Sequence, residues 1–177
     1  MNLNSISKKH TTRKSNIYAI VFFTTLGISF ILSFVFFDVD YVDGKSMFPT
    51  LESGDLEISI KTPYCKIERQ DIVNIKSNAI GEDIVKRVIG VEGDVIEMQN
   101  GVLKVNGNVI NETYLDMIST DTFSYTVPKG HIFVMGDNRE VSLDSRSSEV
   151  GFIPNTEIKS KLLIYIPKNK SIIGEWE

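Results

Sequence analysis

Cysteine is nearly missing: Cys65 is the only one among 177 residues. It can form no disulfide within the chain, so a folded body has to be held by an apolar core and not by staples. No base partner for its thiol is evident, and the expected role is that of a small buried or half-buried apolar residue. Histidine is almost as scarce, with two residues. His10 falls in a basic N-terminal stretch, and His131 sits in a strand-like apolar run with no orienting acid in sight. A Ser-His-Asp triad is thereby disfavoured. No His, Cys, Asp or Glu cluster has metal-ligand spacing and no glycine-rich phosphate loop occurs, so neither a metal nor another cofactor is expected. Internal repeats and low-complexity stretches are also missing.

Charge is missing from one place only. Ser15 to Phe37 contains no charged side chain over 23 positions. As a helix rising about 1.5 Å per residue, such a run spans roughly 34 Å, enough for a hydrocarbon core of about 30 Å. A buried helix of a soluble protein, the alternative, seldom stays apolar on every face for six turns. Four of the 19 basic residues (Lys8, Lys9, Arg13 and Lys14) precede this run, and the first fifteen residues hold no acid. The rest of the chain carries the other 15 basic residues against 23 acidic ones. An acidic body argues against nucleic acid as a partner. The basic cluster before the run and Asp38, Asp40 and Asp43 after it place the N-terminus in the cytoplasm by the positive-inside rule. The run ends in bulky residues, LSFVFFD, with no small-x-small cleavage site, and reads as an uncleaved anchor. The expected organisation is therefore a cytoplasmic basic tail over 1–15, a transmembrane anchor over 16–37 and an extracytoplasmic body over 38–177.

Beyond residue 37 the apolar period is two almost everywhere. Candidate strands are Phe37–Tyr41, Leu56–Ile60, Ile72–Ile75, Ile84–Ile89, Val95–Met98, Val102–Val105, Val109–Ile110, His131–Met135 and Leu162–Ile166. Asn100-Gly101 and Asn106-Gly107 tolerate the positive φ of tight hairpin turns, which predicts a meander over 95–110.

Four segments could carry chemistry. In GKSMFPTL, Gly44 to Leu51, a serine at a strand-to-turn junction presents its hydroxyl and its own N–H to one point, as a nucleophile beside an oxyanion hole would. A plain Gly/Ser/Pro turn reads the same way. In DIVKRVIG, Asp83 to Gly90, period two puts Lys86 on the face of Ile84 and Val88. Desolvation there lowers a lysine's pKa toward a range in which it accepts a proton. A lysine whose stem merely covers apolar surface is the alternative. GDNREVSLDSR, Gly136 to Arg146, is either a solvated loop or a satisfied buried network that orients a catalytic group. Gln70-Asp71-Ile72-Val73 reads as a strand start.

Taken in order, an apolar anchor followed by SMFPTL, QDIV, KRVIGVEGD and GDNREVSLDSR resembles the type I signal peptidases of Gram-positive bacteria, Ser–Lys serine endopeptidases of family S26. The resemblance runs from about Asn16 to about Lys161. It implies a mainly β fold, an SH3-like coiled β-barrel catalytic domain with one N-terminal transmembrane helix and a small accessory subdomain around 95–130. It implies Ser46 as nucleophile, Lys86 as general base, and Ser142 as the hydroxyl orienting the lysine. Asp144 and Arg146 match a supporting ion pair, with Asp137 and Arg139 as further scaffold. Met47, Leu51 and Ile84 match linings of small-residue pockets, and Val42, Asp43 and Val85 fall where strand edges hold an extended substrate. Gly44 matches the branch without a side-chain oxyanion donor, leaving the hole to backbone N–H groups at Ser46 and Gly44. Implied partners are the signal peptides of exported preproteins, the lipid bilayer and the secretion translocon; the implied location is the plasma membrane. Two other classes share these features: a self-cleaving Ser–Lys protease of the same fold, and a catalytically silent membrane-tethered binding module. Residues 38–45 separate the anchor from Ser46 and, at about 3.3 Å each, reach roughly 25 Å.

Overall fold

The computed structural model describes residues 3–117 and 119–169, with side chains from Asn16 onward. Its contacts divide the chain into two units, Met1–Phe37 and Asp38–Glu177. The first is one helix, α1 (Leu3–Phe36), of 34 residues. Within it Asn16–Phe36 is long and apolar enough to cross a membrane, and none of that stretch is buried in the protein. The helix also runs back through the basic segment, where neither proline nor glycine interrupts it.

The second unit is built of β-strands. These are β1 (Phe37–Tyr41), β2 (Leu56–Lys61), β3 (Ile72–Ser77), β4 (Glu82–Val91), β5 (Val95–Gln99), β6 (Val102–Val105), β7 (Asn108–Val109), β8 (Phe123–Thr126), β9 (His131–Met135), β10 (Ile153–Pro154) and β11 (Ile158–Ile166). Seven form one sheet in the order β1-β2-β11-β3-β4-β9-β10, and four form a second in the order β7-β6-β5-β8. Asn100 and Asn106 adopt φ of 50° and 53°, each followed by a glycine at positive φ, and turn the 95–109 meander as their chemistry demands. Two strands escaped the sequence reading. β8, FSYT, lies in a polar stretch whose alternation is too weak to stand out, and β10 has two residues.

β4 and β9 hold the two sheets together. Ile132 and Val134 of β9 face a core with Val73, Ile75, Val88 and Ile153, while Phe133 and Met135 face the other core with Ile89, Ile96, Met98 and Leu103. A strand buried on both faces reads as an unbroken apolar run, which is what IFVM is. Gly90 lies where β4 passes the second core; a Cβ there would come within 2.6 Å of Ile96 Cδ1. A third, smaller core of Val42, Met47 and Leu51 packs against Ile72, Val85 and Leu162 and carries the turn that presents Ser46.

Candidate active site

Ser46 sits in the turn after β1, partly open to solvent. Met47, 2% exposed, and Leu51, fully buried, anchor that turn from below. The Leu51 N–H donates to the Met47 carbonyl and the Phe48 N–H to the Lys45 carbonyl. The Ser46 carbonyl is held from the other side by the Asn138 N–H at 3.0 Å. No backbone bond of the turn uses the Ser46 N–H among the described residues, so it stays available beside its own hydroxyl. Gly44 reaches φ +93°, a conformation that a side chain would strain.

Lys86 comes from the middle of β4, and its Nζ donates to Ser46 Oγ at 2.7 Å and to the Val85 carbonyl at 3.1 Å. Its neighbours two positions either way share one core, Val88 within it and Ile84 packed against it. Lys86 is itself only 3% exposed. Burial lowers its pKa to about 8, and the Asp144 carboxylate opposes part of that fall. Among the described residues no carboxylate forms an ion pair with Lys86, unlike the buried Arg87 and Arg139.

Asp144 is tied elsewhere. It accepts from the Gly136 N–H at 2.9 Å and from Arg146 Nε and Nη2 at 2.8 and 2.9 Å. Arg146 continues to Asp121 at 2.7 Å and to the Arg139 carbonyl at 2.8 Å. Burial alone would depress the Arg146 guanidinium, but Asp144 and Asp121 outweigh it and hold its pKa above the usual value. Asp137 and Arg139 do not pair with each other. Asp137 takes a two-pronged contact from Arg87 at 2.8 and 2.6 Å and a hydrogen bond from Thr50. Arg139 pairs with Glu112. Tyr114 donates to Glu112 at 2.8 Å and lays its ring 4.0 Å from the Arg87 guanidinium. Burial, then Glu112, pushes the Tyr114 phenol pKa up.

Arg87, Thr50, Glu112, Tyr114 and Asp121 are thus parts of the site that sequence reasoning missed. A signal existed for Arg87: period two turns it away from Lys86 toward the opposite face, where a buried guanidinium needs an acid. For residues 112–121 there was none, because only the tertiary fold brings that loop to the GDNR segment.

Ser142 is brought beside the site but makes no hydrogen bond to Lys86. Its Oγ is buried and has no hydrogen-bond partner among the described residues. It packs on Gly136, where an added Cβ would collide with Ser142 Oγ and the Ser46 carbonyl. Gly136 is therefore required by close approach of three segments.

Two clefts are lined by chain neighbours of Ser46 and Lys86. One, of about 320 Å³, lies between β1 and β4 and is lined by Tyr41, Asp43, Asp83, Ile84 and Val85. The other, of about 350 Å³, is lined by Gly44, Phe48, Leu51 and Asn138. Met47 lines neither cleft and is buried beside Leu51 in the third core. Strand edges bear on the first cleft. Val42 donates to the Asp55 carbonyl and accepts from the Gly54 N–H, so its backbone is spent and the expectation that it offers an edge to a ligand is corrected. Alternation turns the backbone of Tyr41 and Asp43 to the opposite side, where the Tyr41 N–H is already held by Asp40 Oδ1 at 2.8 Å. On β4, Val88 bonds toward Gln70 and Asp71, which by the same alternation leaves Asp83 and Val85 facing away from β3.

A serine hydroxyl held by a buried, weakly basic lysine, beside two open strand edges, is the equipment of a peptide-bond hydrolase. Comparison with known proteins decides which kind. The family model described as "Signal peptidase, peptidase S26" matches residues 15–166. The chain belongs to this family of signal peptidases. A signal peptidase I of Bacillus amyloliquefaciens is 35% identical over 91% of the chain and 92% of its own length. One of Bacillus caldolyticus is 44% identical over 68% of the chain and 74% of its own length. The crystal structure of a signal peptidase I from Enterococcus faecalis V583 superposes with a TM-score of 0.52 at 32% identity, covering 56% of this chain and 98% of that one. The chain is a serine peptidase of the Gram-positive signal peptidase I type, mainly β in fold. With its apolar N-terminal helix it is a membrane-anchored protein, and signal peptidases act on exported preproteins.

Proposed function

We propose that this signal peptidase cleaves with Ser46 as nucleophile and Lys86 as general base. The observation that carries the reading is the 2.7 Å contact between Ser46 Oγ and Lys86 Nζ, with the lysine buried. The ammonium donates to the hydroxyl; once lysine has lost a proton, the same separation serves hydroxyl to amine. Neutral Lys86 takes the serine proton as Oγ attacks the scissile carbonyl. The Ser46 N–H, and that of Gly44 in its positive-φ turn, are placed to receive the oxyanion. Lys86 then gives its proton to the leaving amine, an acyl-enzyme forms, and water deprotonated by Lys86 releases the acid.

Asp144–Arg146 and Arg87–Asp137 keep β4 and the Ser46 turn in register. Ser142 is the candidate to orient Lys86, its free Oγ turning when the lysine loses a proton. The substrate lies extended between the open edges at Asp43 and Val85. Ile84 and Leu51 line the pockets for small residues at the first and third positions before the cut, with Met47 supporting them from the core. In this reading the four-stranded sheet is the accessory subdomain and the larger sheet is the one that coils into a barrel. The N-terminus stays cytoplasmic and residues 38–177 cross the plasma membrane, where signal peptides, lipid and the secretion translocon meet the enzyme.

The test is cleavage of a preprotein by the full chain in detergent, beside Ser46→Ala and Lys86→Ala. Both variants should lose cleavage by several orders of magnitude while staying folded; a variant that still cleaves ends the dyad reading.

A further inference from the structure

The cleft between β1 and β4 is charged in a way that small-residue specificity does not require. Asp38, Asp40, Asp43, Glu57 and Asp83 line it, against one cation, Lys159. Lys159 pairs with Asp83 at 3.0 Å, and both side chains are largely exposed, 41% and 61%. One cation faces five acidic side chains, so the cleft wall keeps an excess of negative charge. Period two puts Asp38 and Asp40 on the same face of β1.

Glu57 is the second and independent observation. It comes from β2, is 3% exposed, and its Oε2 has no hydrogen-bond partner among the described residues. A buried acceptor without a donor is costly to keep, and burial disfavours its charge. Its carboxyl pKa is raised, by burial first, with Asn74 opposing and Asp40 and Asp38 adding to the rise. Glu57 lines the cleft, so a donor that satisfies it can be supplied from there. Among the described residues no three His, Cys, Asp or Glu side chains are grouped to hold a metal ion. A side-chain N–H cation fits where a metal does not.

We infer that this cleft is an acidic subsite which takes a lysine or arginine side chain of the substrate, upstream of the small residues at the cut. The inference rests on the proposed function. Ile84, assigned there to the pockets before the cut, lines the same cleft as the carboxylates. An extended peptide advances about 3.3 Å per residue, so its fourth to sixth residues before the cut lie roughly 10 to 17 Å from the scissile bond. Along β1, Asp40 and Asp38 precede Asp43 by three and five residues, a comparable reach of about 10 to 17 Å at the same rise. The same field disfavours glutamate there, which makes the subsite a filter as well as an anchor.

The experiment uses the full chain in an uncharged detergent and peptides with alanine at the first and third positions before the cut. Lysine, glutamine or glutamate is placed in turn at the fourth, fifth or sixth. At one of these positions kcat/KM should fall in the order Lys, Gln, Glu with about tenfold between the ends, the low end of what a cleft of one sign achieves. The spread should shrink in high salt. Asp40→Asn, at an exposed position, and Glu57→Gln should each reduce the lysine-to-glutamate ratio; the first keeps the test open if the second misfolds. Equal rates at all three positions overturn the inference, as does a spread that both variants leave intact. Calcium-dependent cleavage of the glutamine peptide would give the cleft to a metal and overturn it too. If wild type cleaves no peptide, or Ser46→Ala cleaves equally well, the proposed function has failed instead. The subsite is then read from binding of labelled peptides to Ser46→Ala, where equal affinity for lysine and glutamate peptides rejects it.

Discussion

Lys86 is a cation that burial works against, with Asp144 giving only partial support. Its folded pKa of about 8 lies below the ordinary 10.5, so the unfolded chain binds the extra proton between those values. The shift corresponds to a cost of about 3 kcal/mol to folding, fully present below pH 8 and fading as pH rises through the unfolded value. Lys86→Met keeps the apolar stem and removes the titrating group. It should lose cleavage yet be no less stable than wild type at pH 7 by chemical denaturation, with its advantage shrinking toward pH 10. A variant that unfolds several kcal/mol more easily would make Lys86 a structural partner. The same sign governs activity, since only neutral lysine accepts the serine proton. The wild-type kcat/KM should rise with pH through a midpoint near 8. Gly136 shows the opposite kind of constraint. Its role is to be empty, because a methyl there meets Ser142 and the Ser46 carbonyl. Gly136→Ala should cost about 1–3 kcal/mol by overpacking and depress kcat more than KM; an unchanged kcat would mean that the turn yields freely.

At the scale of elements, β4 does two jobs with adjacent residues. Lys86 reaches the Ser46 turn and Arg87, on the other face, locks Asp137 of the segment after β9. The loop between β7 and β8 closes the arrangement from outside through Glu112, Tyr114 and Asp121. Arg139 in that network is 1% exposed and Glu112 9%. Removing the acid leaves a buried guanidinium uncompensated, a loss of about 3–5 kcal/mol. Glu112→Ala should therefore unfold at lower denaturant and lose activity at temperatures where wild type is intact. Activity and stability unchanged in this variant would show the loop to be a bystander. The sequence marked GDNREVSLDSR as either a solvated loop or a buried network, and period two could not choose between them. The choice falls to partners well separated in the chain, Glu112 and Asp121, on a loop of ordinary composition.

For the whole molecule, the asymmetry of charge about the anchor predicts an orientation. Protease added outside intact protoplasts should digest residues 38–177 and leave the N-terminal segment protected. A protected body would reverse the orientation and remove exported substrates from its reach. Other features of the whole were legible because they are local. An uncharged, apolar run of 23 residues marks a membrane anchor, Asn-Gly pairs turn hairpins by their φ, and alternation put Ile84 and Val88 against one core. The order of the motifs identified the family. Ser46 and Lys86 are 40 residues apart, however, and their 2.7 Å contact exists only because the turn after β1 and strand β4 share a core of Met47, Leu51 and Val85. That contact, the pairing of Asp137 with Arg87 and not Arg139, the spent backbone of Val42 and the acidic wall around Glu57 all depend on long-range strand pairing. Sequence alone determined which residues are polar, apolar or free to turn, since those are properties of each side chain and its neighbours. Tertiary structure decided which charges meet, because partner choice is set by the register of strands distant in the chain.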